Sequence, residues 1–428
     1  MNPTLTKFGD RMSRPSGVRA IMADIITTLK TGKDRDFINL SAGNPVILPE
    51  VEQLWRDCTS DLLASAEYGE VVCRYGATRG YGPLIDAVVR DLNQRLGLLG
   101  TSMELSDRHI LITPSSQSLY FLAANAFGGY TDAGVLKRTV LPLSPDYTGY
   151  GDVPLYAESL LAYRPNLKLA PDQHRFKYQP NFDQLVIDDH TGLVIFSRPS
   201  NPTGNVISDE DVHHIVQLAE PHHVPVFIDS AYASPFPALN FTDMSLILAP
   251  NVVHCMSLSK AGLPGERVGI AVGHPAVMQV LEVFLTNLCL HSSRYGQAIA
   301  ARAIRSGALA DISLQVIRPH YQAKLTVLQH TLDQVMPSDI PWFLHLGEGS
   351  IFAWIWLQDL PITDWDFYQM LKTVDVLIVP GHSFFPGLPE EWEHTHQCFR
   401  ISLTDTKERI AIAMERFAQM VKQVYAVG

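Results

Sequence analysis

Continuous runs of Val, Ile and Leu recur along the first two thirds of the chain, each bounded by Gly, Pro or polar residues. They are "HILIT" (109–113), "TVLPL" (139–143), "GLVIFSRP" (192–199), "PVFIDSAY" (225–232), "NVVHCMSLS" (251–259) and "RVGIAVG" (267–273). Runs without an alternation of apolar and polar residues are typical of strands buried on both faces. Helical patterns such as "SQSLYFLAANAF" lie between some of them. The pattern predicts an α/β domain with a mostly parallel sheet.

The pattern changes at about residue 298. A long helical stretch precedes three further apolar runs, "SIFAWIWL" (350–357), "DVLIVPG" (375–381) and "CFRISL" (398–403), and an amphipathic helix closes the chain. This mixture is typical of a smaller α+β domain. We therefore predict a large α/β domain over residues 55–297. Residues 1–54 and 298–428 would form the smaller domain with an N-terminal arm.

Charge and apolar composition narrow the possible partners. The chain has 33 Lys and Arg against 44 Asp and Glu, a net charge of -11, and contains no basic run that could follow a phosphate backbone. No stretch approaches the roughly 18 apolar residues of a membrane span, and the N-terminus lacks the apolar segment of a signal peptide. We expect a cytoplasmic protein without nucleic-acid or membrane partners. Five scattered cysteines, without a CxxC pair, predict reduced and mostly buried thiols.

Sixteen histidines raise the question of a metal site. The pairs in "VHHIV" and "EPHHV" fall on a predicted polar helix and at its exit, and we interpret "HTH" (394–396) in the same way, as solvated or packed side chains. Zinc sites normally show closely spaced Cys and His ligands. We therefore predict no metal site, with solvated or packed histidines instead.

Candidate chemistry gathers where the predicted strands end. In an open α/β sheet, ligands bind at the carboxyl ends of the strands. The polar residues expected there lie in "SSQ" (115–117), "PDYTGY" (145–150), "RPSNPTGN" (198–205), "DSAY" (229–232) and "SLSK" (257–260). The sequence therefore predicts one polar site built from several strand ends.

Part of this site is suited to an anion. Ser115, Ser116 and Gln117 stand where a strand gives way to a helix, so that backbone N–H groups would face the ligand. Ser257 and Arg267 would add a hydroxyl and a guanidinium group. Taken alone, the serines would be ordinary helix caps. Together these residues predict a phosphate site.

The remaining strand-end residues are suited to an aromatic ring with an ionised nitrogen. Asp229 ends an apolar strand, where a carboxylate needs a cationic partner such as a protonated pyridine. Asn201 and Tyr232 could bind a phenolic oxygen, and Tyr147 could stack on the ring. Lys260 ends the run "NVVHCMSL", and a buried lysine is costly unless its amine is used. These residue types match the chemistry of pyridoxal phosphate, with Lys260 as the amine that bonds to it.

The motifs "SAGNP", "RYGATRGYGPL", "SRPSNPTGN", "IDSAY", "SLSKAGLPGERVG" and "CFRIS" resemble, in order and over nearly the whole chain, those of the fold type I (class I/II) aminotransferases. The resemblance implies a large domain with a seven-stranded, mostly parallel sheet and a smaller α+β domain. It implies that Lys260 binds the cofactor and moves protons, and that Asp229 holds the ring nitrogen.

The same resemblance assigns the other positions. Asn201 and Tyr232 would bind the phenolic oxygen, and Tyr147 would stack on the ring. The phosphate would be held by Ser115, Ser116, Gln117, Ser257 and Arg267. Ser259 is a weaker candidate, because in a continuing strand it would point away from Ser257 and Lys260.

Three further positions follow from the resemblance. Tyr75 would reach the phosphate of the other subunit, which implies a homodimer with shared sites. Arg400 would bind the substrate carboxylate, with the backbone of Gly43 beside it and Asn201 also contacting the substrate.

Within the family, "FGDRMSRPSG" and the long "VPGHSFFPGLPEEWEHTHQCFRIS" resemble the branch that transfers the amino group of valine to pyruvate. Phe384, Phe385 and Tyr232 are candidates for the substrate side-chain pocket, although they could equally pack in a loop. Three alternatives remain: another aliphatic or aromatic amino acid as substrate, a carbon–sulfur lyase or decarboxylase on the same fold, and a non-catalytic sensor.

Overall fold

A computed structural model describes residues 3–14, 17–98 and 104–426. Its strands are β1 (Ile38–Asn39), β2 (Ile110–Thr113), β3 (Gly129–Tyr130), β4 (Leu136–Leu141), β5 (Leu160–Ala162), β6 (Asn166–Ala170), β7 (Arg175–Gln179), β8 (Thr191–Ser197), β9 (Val226–Asp229), β10 (Val252–Ser257), β11 (Gly269–Gly273), β12 (Trp342–His345), β13 (Phe352–Leu357), β14 (Val376–Leu377), β15 (Val379–Pro380) and β16 (Cys398–Ser402).

The α-helices alternate with these strands over much of the chain. They are α1 (Lys7–Ser13), α2 (Val18–Thr31), α3 (Pro49–Ala64), α4 (Tyr68–Cys73), α5 (Gly82–Leu98), α6 (Ser116–Phe127), α7 (Asp209–Ala219), α8 (Pro275–Cys289), α9 (Arg294–Arg305), α10 (Ala308–Ile312), α11 (Arg318–Val335), α12 (Asp364–Thr373) and α13 (Lys407–Tyr425). Among the described residues, no helix combines the length and the apolar character that crossing a bilayer requires.

The main sheet has the strand order β2–β11–β10–β9–β8–β4, and both β3 and β5 pair with β4. Strands β10, β9, β8, β4 and β5 are parallel, whereas β11 is antiparallel to both of its neighbours. The predicted mostly parallel fold is confirmed. The eighth strand, beyond the seven expected, is β3, two residues that fold back on the start of β4.

Both faces of this sheet are buried, as the unbroken apolar runs require. Helices α6 and α8 cover one face with Leu119, Leu122 and Leu281, which are fully buried. Helices α5, α7 and α9 belong to the larger apolar cluster on the other side. The parallel register brings the ends of β8, β9 and β10 level, with Ser197 opposite Asp229 and Asp229 opposite Cys255. The strand ends therefore share one edge.

A second sheet has the order β15–β16–β13–β12–β7–β6. Strand β12 was not predicted, because "WFLH" is a short apolar run next to a long helix. The hairpin of β6 and β7 lies within residues 55–297 but pairs with this second sheet through β12. The predicted division into domains remains a proposal, amended so that residues 166–179 join the sheet of the smaller unit.

Of the five cysteines, all of which are free thiols, Cys58, Cys255 and Cys398 are buried, whereas Cys73 and Cys289 are exposed. The expectation of mostly buried thiols is therefore met by three of the five. Burial raises the pKa of the Cys58 thiol to about 11, so this thiol stays protonated at neutral pH.

A buried hydroxyl links two strands of the second sheet to the segment before β16. The Tyr178 side chain is 1% exposed, and its hydroxyl accepts a hydrogen bond from Trp354 Nε1 at 3.0 Å. The same hydroxyl lies 2.6 Å from His394 Nε2. Burial lowers the pKa of His394 to about 3, so the ring is neutral and Nε2 can accept the hydroxyl proton. The network ties β7 to β13 and to the segment before β16.

We expect Tyr178→Phe to destabilise the protein by about 1–3 kcal/mol, because Trp354 and His394 would lose a buried partner. Tyr163→Phe is the matched control, since the Tyr163 hydroxyl makes a single exposed hydrogen bond to the Val186 carbonyl at 3.3 Å. Chemical denaturation of both variants measures the effect. Equal stability losses in the two variants would contradict a structural role for the buried hydroxyl.

Candidate active site

A cavity of roughly 210 Å³ lies at the carboxyl edge of the main sheet. It collects ten of the residues considered from the sequence: Ser116, Gln117, Tyr147, Asn201, Asp229, Tyr232, Ser257, Ser259, Lys260 and Arg267. Its other lining residues, which sequence reasoning did not select, are Asn44, Tyr120, Ala231 and Pro264. The cavity therefore contains nearly all of the predicted strand-end cluster.

Lys260 lies in the floor of this cavity on a 3₁₀ turn, Ser259–Ala261, that follows β10. Its Nζ donates to the Gly43 carbonyl at 2.5 Å and lies 5.9 Å from the centre of the Tyr232 ring. Burial, and then the nearby Arg400 charge, lower the pKa of Lys260 to about 8, while Asp229 acts in the opposite direction. A substantial neutral fraction therefore exists near pH 8.

Asp229 is the last residue of β9 and is 6% exposed. The Tyr150 hydroxyl donates to Oδ2 at 3.0 Å, and the backbone N–H of Ala231 donates to Oδ1 at 3.0 Å. Burial raises the pKa of Asp229, and the Tyr120 hydroxyl, the Ala231 N–H and the Tyr150 hydroxyl, followed by the charge of Lys260, oppose the rise. Because these hydroxyl and N–H groups are neutral, the carboxylate can still accept a cationic ligand group.

Tyr147 is positioned by Asp146, a residue that sequence reasoning missed. Oδ1 of Asp146 accepts from the backbone N–H of Tyr147 at 2.7 Å and from the Ser197 hydroxyl, while Oδ2 accepts from the Ser197 N–H at 3.0 Å. Burial raises the pKa of Asp146 to about 7 against these bonds. A Cβ at Gly149 would lie 2.3 Å from the Tyr147 ring, so only glycine permits this placement.

The N-terminus of helix α6 lies at the part of the cavity where an anion was expected to bind. Ser115 is its N-cap, and its hydroxyl accepts from the Ser118 N–H at 3.0 Å; Ser115 does not line the cavity. Ser116 and Gln117 do line it. Gln117 Nε2 donates to the Gly149 carbonyl at 3.2 Å, whereas its buried Oε1 has no partner within the part of the chain that the structure describes. For Ser115 the structure thus shows the capping role that was the alternative reading.

Ser259 lines the cavity, although it was expected to point away from Ser257 and Lys260. Strand β10 ends at Ser257, and Leu258 already has helical dihedral angles, so the alternation of a strand no longer applies at Ser259. Both serines therefore line the cavity with Lys260. Arg267 Nη1 lies 3.5 Å from Ser259 Oγ and donates to the Pro264 carbonyl at 3.3 Å. The exposed guanidinium group thus borders the same hydroxyls.

Arg400, on β16, is buried beside the cavity. Nη1 donates to Asn201 Oδ1 at 3.0 Å and Nη2 donates to the Ser41 carbonyl at 2.9 Å, while the buried Nε has no partner among the described residues. Its guanidinium carbon lies 4.1 Å from the centre of the Phe352 ring and 4.9 Å from that of Phe384. Burial lowers the pKa of Arg400 to about 10. The group remains cationic and has donors to spare for a carboxylate.

Some predicted positions lie elsewhere. The Gly43 carbonyl accepts from Lys260, and the carbonyl of Ser41, two residues earlier, accepts from Arg400, so the position of the Gly43 backbone beside the substrate stays a prediction. Tyr75 is 85% exposed, with its ring against His291, and does not line the cavity of its own chain. Phe385 packs against Trp354 and Trp392 rather than lining the cavity.

Two missed tyrosines lie at the base of the site. Tyr120 and Tyr150 are fully buried, their rings meet edge to face at 5.2 Å, and the Tyr150 ring meets that of Tyr147 at 5.4 Å. In the sequence, Tyr150 is the last residue of "PDYTGY", so the strand-end argument could have included it. Tyr120 falls within an apolar helix, where nothing distinguishes it from a core residue.

Comparisons with known proteins place this architecture in a family. The model of the aminotransferase class I and II family matches residues 171–417. The valine–pyruvate aminotransferase of Escherichia coli K12 is 35% identical over 423 residues, 99% of each chain. The chain belongs to the class I and II aminotransferases; it is a transaminase that uses pyridoxal phosphate.

Two crystal structures are similar over nearly their full length. A provisionally named amino-acid aminotransferase of Psychrobacter arcticum 273-4 superposes with a TM-score of 0.92 at 31% identity, covering all of both chains. The valine–pyruvate aminotransferase of Salmonella typhimurium LT2 gives 0.85 at 33% identity and covers 95% of this chain and all of its own. Both support the fold type I architecture.

The lowered pKa of Lys260 predicts how the protein without cofactor captures pyridoxal phosphate. Only the neutral amine attacks an aldehyde, so the rate of capture should rise with pH and level off above about 8 rather than near 10.5. In Arg400→Gln the inflection should move to higher pH, because a cationic neighbour of Lys260 is removed. Stopped-flow absorbance across pH 6–10 measures both curves. A wild-type rate that still rises steeply above pH 9 would contradict the placement of Lys260.

Proposed function

We propose that this aminotransferase exchanges the amino group between L-valine and pyruvate in a ping-pong cycle, giving 3-methyl-2-oxobutanoate and L-alanine. The observation that carries the proposal is the 35% identity to the Escherichia coli enzyme of that name over 99% of both chains. The geometry supports the proposal, because the Arg400 guanidinium group, which can bind a carboxylate, and the Lys260 amine lie at one small cavity.

The described residues fit the cofactor. When bound, pyridoxal phosphate supplies an aldehyde carbon and a protonated ring that accepts an electron pair from the substrate. Asp229, whose hydrogen-bond donors are neutral, would keep a proton on the ring nitrogen. Ser116, Ser257 and Arg267 would hold the phosphate. Asn201 and Tyr232 would orient the phenolic oxygen.

Lys260 would move the proton. Once neutral, its Nζ can take a proton from the substrate α-carbon and later deliver one, because the lowered pKa places both protonation states within reach near pH 8. The Gly43 carbonyl, at 2.5 Å, orients the amine. The partial burial of Lys260 limits the access of bulk water to this proton.

Arg400 would bind the substrate carboxylate. Its unpartnered Nε and the rings of Phe352 and Phe384 favour a planar, bidentate contact in a site with little water. The cations that line the described cavity are Lys260 and Arg267, and the phosphate would engage Arg267. A short aliphatic side chain is therefore a better match than a second carboxylate.

Product analysis with a panel of amino acids tests the proposal. With L-valine and pyruvate, alanine and 3-methyl-2-oxobutanoate should form in equal amounts, and double-reciprocal plots should be parallel. L-Leucine, L-phenylalanine and L-aspartate test other transaminase specificities, and L-cysteine tests a lyase. Lys260→Ala should bind cofactor but turn over none of them. If another amino acid is turned over faster than valine, that amino acid takes the place of valine as the proposed donor. No turnover with any amino acid would favour a non-catalytic sensor.

We also infer a homodimer with shared sites. Tyr75 supports it, because an 85% exposed aromatic side chain outside the cavity of its own chain is free to enter that of another. The tyrosine would then reach the phosphate bound by the other subunit, as in related aminotransferases. Each site would need residues from both chains.

Mixed dimers test this arrangement. In a hybrid of Lys260→Ala and Tyr75→Ala chains, one site carries both changes and the other carries neither. We therefore expect two nearly inactive homodimers to regain activity on mixing, up to about half that of wild type per hybrid dimer. Tyr130→Ala, at another exposed tyrosine, serves as the control partner for Lys260→Ala. If the mixture of the two site variants gains no activity, Tyr75 does not act across subunits.

A further inference from the structure

A second cluster of potential ligands lies away from the cofactor cavity, where α12 meets the segment between β15 and β16. It comprises Asp364, the first residue of α12, and the rings of His382 and His396. The Asp364 side chain is fully buried, whereas those of His382 and His396 are 31% and 58% exposed. Ligand atoms of all three lie within 4.8 Å of one another.

Both histidines direct the same ring nitrogen at the one carboxylate. His382 Nδ1 lies 2.8 Å from Asp364 Oδ2, and His396 Nδ1 lies 3.3 Å from Oδ1. The two rings are nearly parallel, with centres 5.6 Å apart and planes inclined by 21°. The three ligand atoms are therefore already convergent.

The backbone fixes the carboxylate in place. The N–H of His382 donates to Oδ2 at 2.9 Å, and the N–H of Trp365 donates to Oδ1 at 3.0 Å. Metal-binding carboxylates are typically oriented by such additional hydrogen bonds. The orientation of Asp364 is therefore fixed by backbone groups and does not depend on the two imidazole side chains.

We propose that Asp364, His382 and His396 bind a divalent cation of the zinc class. Zinc bound by imidazole and carboxylate at about 2.0–2.2 Å keeps tetrahedral ligand atoms roughly 3.4 Å apart. His396 Nδ1 lies 3.3 Å from Oδ1, close to this spacing, whereas His382 Nδ1 lies 2.8 Å from Oδ2 and would have to move outward by about 0.6 Å. A small displacement of the exposed rings is enough.

The open side of the cluster faces a cavity of roughly 530 Å³ that both histidines line. Glu390, Glu391 and Glu393 also line it. Their negative charge attracts a cation, and the open side leaves a coordination position for water.

The cluster is connected to the candidate active site by a short segment of the chain. His382 belongs to the 3₁₀ turn Gly381–Phe384, whose Phe384 carbonyl accepts from the Asp146 N–H at 3.0 Å and whose Phe384 ring packs on Arg400. A bound cation would fasten this turn to α12. It would thus stabilise Phe384, whose ring packs on Arg400, and Asp146, which positions Tyr147.

Isothermal titration with Zn²⁺ alone, on the cofactor-loaded protein, tests the proposal. The two exposed thiols are first removed as Cys73→Ser and Cys289→Ser, because thiolates also bind zinc. In this background we expect one tight equivalent of zinc and a melting temperature that rises with zinc concentration. His396→Ala and His382→Ala should each weaken that equivalent by more than about tenfold, whereas the exposed His213→Ala should leave it unchanged.

The variants also distinguish a metal site from a simple charge pair. If Asp364 only accepts hydrogen bonds from the histidines, zinc binding by His396→Ala will equal that of the parent, whatever the stability of the variant. That result would overturn the proposal, as would equal zinc binding in the His382 and His213 variants. Valine–pyruvate turnover in His396→Ala without zinc should remain near the parent value, which separates this test from that of the proposed function.

Discussion

The buried carboxylate of Asp229 is the constraint on which the rest of the site depends. A charge at the end of a strand inside the protein must be neutralised or hydrogen-bonded. Here Tyr150 and the Ala231 N–H provide hydrogen bonds but no positive charge. The cations nearby, Lys260 and Arg400, are themselves deprived of water, and the pKa of each is lowered. The Asp229 carboxylate therefore has room for a cationic partner, and the cations Lys260 and Arg400 have room for an anionic one. A cationic ring and an anionic substrate are both stabilised in such a site.

The charged side chains of the site come from two different sheets. Asp229 ends β9, and Lys260 lies on the 3₁₀ turn that follows the neighbouring parallel strand β10, so the pairing of the two strands brings both residues to the same edge of the main sheet. Arg400 comes from β16 in the second sheet and reaches Asn201 across the boundary. Contact between the sheets therefore assembles the site. The network around Tyr178 matters for the same reason, because it stiffens the sheet that carries Arg400.

Much of this arrangement could be predicted from the sequence, because continuous apolar runs define parallel strands and strand ends define a site. Asp229, Lys260 and Asn201 were predictable in this way. Ser259 was misjudged, since the residue at which a strand becomes a turn cannot be read from alternation. The hairpin of β6 and β7 joins the second sheet through pairing distant in sequence.

The histidine cluster shows the same limit. The carboxylate that contacts His396 is not one of the glutamates before "HTH" but Asp364, on a helix about 30 residues earlier in the chain. Local patterns detect ligand sets on one element, whereas a set shared by three elements depends on the fold. The expectation of no metal site rested on local spacing alone.

The most direct test of the central claim is the absorption spectrum of the cofactor-loaded protein during addition of L-valine, with no oxo acid present. The account predicts that the band of the aldehyde form is lost, that the amine form appears, and that pyruvate restores the original band. In Lys260→Ala the conversion should be slower by several orders of magnitude. Conversion at the wild-type rate in that variant would show that another group moves the proton, and would contradict the role given to Lys260.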